Sequence, residues 1–201
     1  MALCRMVAAI AALMGLTLTA ATEPAQRNPF LEQIVEQLHR QGRSLVCFVR
    51  QYDDAHLAAH PGQQASYAKA LIAAYYWESS LASVRDKYMY QVSLAFRFRN
   101  RPETLTGVAE CGDGTPKDSL RHGAVCAGPG EQHGHLAMDG KNLLVLTVPG
   151  GADLWLPGRM EQRHDVAKNP FGPDDKVFRL VRTDLNQCED LAFDSWKPLR
   201  P

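Results

Sequence analysis

The sequence lacks an excess of either charge. Lysine plus arginine number 22, and aspartate plus glutamate also number 22, so the formal net charge is +0. That balance argues against nucleic-acid binding, which calls for a concentrated basic surplus. It gives no support to a polybasic lipid anchor either. No apolar run reaches the roughly 20 residues that span a bilayer. There is no CxxC pair, so a cysteine zinc site has no basis. GxSxG and HExxH are both missing, which leaves serine hydrolase and metalloprotease readings without a motif. Glycine-rich pieces such as Cys111–Thr115 (CGDGT) do not match a phosphate loop and are explained by turn geometry. Twenty-two acids would supply accidental carboxylate pairs, so a glycosidase-like pair carries no weight. No internal repeat or low-complexity tract is present.

What is there describes an ordinary folded domain. Hydrophobic residues at 45% and charged residues at 22% exclude a disordered chain, and 201 residues suit one domain of moderate size. Residues 1–21 place Arg5 before an apolar run from Met6 to Leu18, then small residues up to Ala21. This is the pattern of a cleaved secretory signal peptide, and it implies a periplasmic or secreted protein with no stable membrane span after cleavage. Cleavage removes one arginine and no acid. It also removes Cys4, leaving Cys47, Cys111, Cys126 and Cys188. An even count in an exported chain points to two disulfides. Four cysteines allow three connectivities. Cys111 and Cys126 flank a turn-rich stretch and would close a local loop, and Cys47 with Cys188 would then tie the start of the body to its end.

The periodicities place the elements. Asn28 and Pro29 are a helix start, and Phe30, Leu31, Ile34, Val35 and Leu38 recur at helical spacing, predicting an amphipathic helix over 29–41. Residues 44–50 are a short apolar strand. Residues 51–64 are polar and end in a turn at His60-Pro61-Gly62. Residues 65–78 are ambiguous, since alanine, lysine and leucine favour helix while Tyr75, Tyr76 and Trp77 favour strand. Tyr88–Arg99 alternates apolar and polar positions as a half-buried antiparallel strand does. Residues 103–111, 124–127, 134–138, 141–148, 153–156 and 177–182 follow as strands, with Asp139-Gly140 as a hairpin turn. Residues 157–175 are a long loop. The expected fold is mainly β, an antiparallel meander forming a barrel or sandwich, with the N-terminal helix and two disulfides. The expected organisation is a signal peptide over 1–21, an N-terminal segment over 22–43, a single β-domain over 44–190 and a tail over 191–201.

Several fragments share an order and spacing: Cys47 followed by His60-Pro61-Gly62-Gln63, the strand at 88–99, Gly107–Cys111, Val125-Cys126, and Asp174–Leu180 before Cys188. In this the chain resembles a group of small exported bacterial all-β proteins of unknown function, in which an HP-x-Q turn, a GEC-like strand end and a DDK-x-F-R-L strand recur. The likeness spans roughly 45–190. It implies a fold and a compartment but no activity, and it favours strand for 65–78. The chain departs from the group at Ala127–Gly130, where a second cysteine and a glycine run would stand, and in its N-terminal helix.

Two histidine groups are candidate metal ligands. His56 and His60 are four apart with Asp53 and Asp54 beside them, but Pro61 disfavours helix at His60. His133 and His135 are two apart, with Glu131 and His122 nearby, so a strand would set the pair on one face as zinc or copper ligands. Trp155, Tyr76 and Trp77 are candidate binding aromatics if exposed, and core residues otherwise. Arg97, Arg99, Arg179 and Arg182 recur on strands, either as a basic face or as edge protection. The expected function is that of a non-enzymatic domain, without cofactor, that binds a protein or envelope component. The alternatives are a metal-binding protein using His122, His133 and His135, and an envelope hydrolase.

Overall fold

The computed structural model describes residues 30, 34, 43–77, 87–113, 123–127, 133–157 and 169–191. The expectations for 1–21, for most of the helix over 29–41 and for the tail beyond Leu191 lie outside those residues.

Eight antiparallel strands form one closed barrel in sequence order. They are β1 (Arg43–Gln51), β2 (Ala65–Trp77), β3 (Lys87–Phe98), β4 (Thr104–Asp113), β5 (Gly123–Ala127), β6 (His133–Met138), β7 (Leu143–Thr147) and β8 (Val177–Thr183). Every strand pairs with the next, and β1 pairs with β8 to close the ring. A barrel removes the exposed edges that an open sheet would carry.

The alternation seen in the sequence decides which side chains fill the barrel. Phe48, Ile72, Tyr90, Leu94, Phe96, Leu136, Leu144, Leu146, Phe178 and Leu180 are buried and form one continuous cluster inside it. At the end where β3 starts, Phe30 seals the interior with its ring edge-on to Tyr90 at 5.5 Å. Phe30 and Ile34 are both helical and buried, in line with the amphipathic stripe expected there. At the opposite end Phe171 enters from the β7–β8 connection, with its ring 5.1 Å from Phe96 and 5.3 Å from Phe98.

The ambiguous stretch 65–77 is strand β2. Its odd positions are covered from outside by a 3-10 helix, Leu185–Leu191, and Leu71, Ala73, Ala95, Cys188 and Leu191 form a second small core there. Lys69 beneath that helix donates to the Gln187 carbonyl and pairs with Asp190. The expected disulfides are both present. Cys111–Cys126 joins directly opposed residues of β4 and β5, while Cys47–Cys188 fastens the 3-10 helix to β1.

Three local expectations are corrected. Residues within 51–64 include a helix, α1 (Asp54–Ala59), whose N-cap Asp53 accepts from the His56 amide, the usual way to satisfy a free helix N–H. The expected strand at 153–156 is a single bridge, Trp155 to Thr106, because a chain crossing the barrel mouth has room for one pairing. The first residue of the expected tail, Leu191, closes the 3-10 helix, which Cys188 holds. No helix among the described residues is long and apolar enough to cross a membrane.

Candidate functional site

The seam between β1 and β8 has the shortest pairing in the barrel. It covers Cys47, Phe48 and Val49 against Thr183, Arg182 and Val181, and goes no further. Beyond Val49 the strands diverge, because β1 continues through Gln51 along β2 while β8 stays with β7 as far as Val177. An open cleft of about 640 Å³ lies over this divergence, lined by Arg50, Tyr52, His56, His60, Gln63, Leu143, Asp174, Val177 and Arg179.

The cleft is built from the two motifs farthest apart in the sequence. The turn at His60–Gln63 and the segment before β8 are locked together by Asp175. Its buried carboxylate accepts from the backbone amides of Gln64, Ala65 and Gly172. Burial holds the Asp175 carboxyl above the usual aspartate range, the three amide donors notwithstanding. Gly172 is required by this closeness, since a Cβ there would stand 1.9 Å from the Gly62 carbonyl oxygen.

On the α1 side the rings of Tyr52, His56 and His60 stack in series, 4.8 Å and then 4.2 Å between centroids. Gln63 donates to the Ala65 carbonyl, so its amide oxygen is the partner of the His56 ring, which donates through Nε2. His60 donates through Nδ1 to the His56 carbonyl. Each histidine thus spends a ring N–H on holding the turn. Burial raises the Tyr52 phenol, opposed by the neighbouring Arg50 and by the Arg179 backbone amide that donates to its oxygen.

Arg50 is the cation at the head of the cleft. Its guanidinium lies over the Tyr52 ring at 5.2 Å. Its Nε is buried without a hydrogen-bond partner. Of the neighbouring arginines, Arg179 pairs with Asp139, Arg182 donates to the Ile34 carbonyl, Arg99 just past β3 reaches the Leu57 carbonyl, and Arg97, like Arg50, lies over a tyrosine ring, that of Tyr67. They point in separate directions and form no common basic face.

The sequence-derived candidates are not gathered in this cleft. Trp155 is buried at 2% exposure, packed into the barrel mouth. Tyr76 and Trp77 are in β2, with side chains outside the described set. His133 and His135 are in β6, two residues apart, and His135 is half-buried. His122 lies outside the described residues. Gly123, which follows it, opens β5 opposite Ala137, whereas His133 stands opposite Ala127 at the other end of β5. Four strand steps separate the two ends, roughly 13 Å. No group of three metal-binding side chains occurs among the described residues. Sequence reasoning missed Arg50, yet the signal was present: Val46 and Phe48 point inward, so alternation sets a charged side chain at the next inward position.

A second cavity, inside the barrel near Leu94, Gly107 and Leu146, measures about 40 Å³. That is room for water-sized occupants only. No protein-family model, curated protein or solved structure matches the chain.

Proposed function

We propose that the chain is an exported, non-enzymatic β-barrel domain of the periplasm or cell envelope, which binds another protein or an envelope component through the cleft at the β1–β8 seam. The observation carrying this reading is the cleft itself: a concave opening on a doubly stapled barrel, lined by polar groups and by an arginine whose Nε is buried without a hydrogen-bond partner among the described residues. The rigidity of the scaffold supports it, since a site held by a buried carboxylate clamp is formed before the ligand arrives. Export rests on the apolar N-terminal segment and accords with the two disulfides. The zinc or copper alternative has His133 and His135 at same-parity positions of β6, without a third described ligand.

Photo-cross-linking tests the reading. A photoreactive residue at Val177, exposed in the cleft, is compared with one at Glu110, exposed on β4 across the barrel. In cells the Val177 probe is expected to give a discrete adduct that the Glu110 probe does not. Adducts only from Glu110, or from neither position, contradict the proposal.

A further inference from the structure

We infer that the cleft takes an oxyanion, the phosphate or carboxylate of its ligand, with Arg50 as the residue that binds it; this rests on the binding reading above. Arg50 makes no hydrogen bond or ion pair among the described residues, and its Nε is cut off from water. A guanidinium in that position loses part of its hydration and gains only the face of Tyr52 in return. The planar fork of arginine presents paired N–H groups that match two oxygens of a carboxylate or phosphate. An incoming oxyanion therefore restores what burial removed.

The neighbours add donors at the same place. Tyr52 lines the cleft beside Arg50, and its hydroxyl is a further donor for the same anion. The Arg179 guanidinium lines the cleft, and its present partner Asp139 is held at an exposed 3.1 Å contact, an ion pair that water weakens and a competing anion can displace. Val177, 48% exposed, and Leu143 give the same cleft an apolar flank for the body of the ligand. Two groups oppose the anion: Asp174, an exposed carboxylate on the rim, and the buried Asp175 carboxylate, whose charge also acts on Tyr52. Asp174 gives the proposal a second handle, since neutralising it acts in the opposite sense to neutralising Arg50.

Calorimetric titration of the full disulfide-bonded chain tests this with inorganic phosphate and with acetate, against chloride at equal ionic strength. Wild type is expected to bind at least one of the two oxyanions saturably. Arg50→Gln should weaken that binding tenfold or more, as loss of a charged hydrogen-bond pair does. Arg50→Lys, which keeps the charge without the fork, should fall between them, and it serves alone if Arg50→Gln does not fold. Asp174→Asn should tighten binding severalfold. Vesicles with phosphate-bearing headgroups, compared with neutral vesicles, separate a membrane-borne phosphate from a free one. Wild-type binding no stronger than to chloride, or equal binding by Arg50→Gln or Arg50→Lys, overturns the assignment. If the Val177 cross-link then persists in the arginine variants, the anion assignment alone has failed; if it is absent from wild type, the binding reading has failed first.

Discussion

At the scale of single residues, two charged side chains near the same barrel mouth have opposite fates. Asp175 is buried and clamped by amides, whereas Arg50 is partly buried with its Nε unpartnered among the described residues. The first is a structural device with a definite pH signature. Its carboxyl is raised in the folded protein, mainly by burial, above the unfolded value of about 3.9. A raised carboxyl contributes stability that is complete below the unfolded value and is lost as pH rises through the folded one. The stability of wild type relative to Asp175→Asn should therefore increase as pH falls from neutral through the carboxylate range. Denaturant melts of both proteins across that range check it; a difference that stays flat or shrinks toward acid contradicts the stated cause. Asp175 was legible in the sequence only as one of two consecutive aspartates. Its importance depends on residues about 110 positions away, a pairing that no local pattern encodes. Arg50 was legible in principle, because it breaks the apolar alternation of its strand.

At the scale of elements, what could be read depended on whether both faces of a strand share one environment. In β3 Val92, Leu94, Phe96 and Phe98 are large and apolar while Gln91, Ser93, Ala95 and Arg97 between them are polar or small, so residue type alternates and announces a strand even though Ser93 and Ala95 are also buried. In β2 every residue from Ala68 to Ala74 is buried, the even ones in the barrel and the odd ones beneath the 3-10 helix, so the period-2 signal vanishes. Helix α1 has only six residues, too few for a helical period to show. The disulfide pattern was readable because Cys111 and Cys126 are 15 apart across an obvious turn region, which leaves Cys47 and Cys188 to each other at a separation of 141. These spans predict unequal contributions: about 3 kcal/mol for the short loop and about 5 kcal/mol for the long one by loop entropy. Equilibrium unfolding of the two paired alanine variants, Cys111→Ala with Cys126→Ala and Cys47→Ala with Cys188→Ala, should rank them so. The long-range pair has a further reason to be the costlier, since it also holds the 3-10 helix over β1 and β2. The reverse ranking contradicts the account.

At the scale of the whole molecule, the barrel has Phe30 packed at one end and Phe171 at the other, with an open cleft at the seam beside that second end. The fold class followed from strand patterning. The position of the opening did not, because it depends on where two strands from opposite ends of the chain stop pairing. The central claim is that this opening binds, through Arg50. The most direct measurement is a nuclear magnetic resonance titration of the isotopically labelled full chain with inorganic phosphate and, separately, acetate. The account predicts saturable shifts in at least one of the two, centred on the Arg50 side-chain Nε–H and the Arg179 backbone amide. It predicts none at Gln91 and Glu110 across the barrel. Shifts scattered over the surface, or a still Arg50 Nε–H at saturating concentrations of both anions, would contradict it.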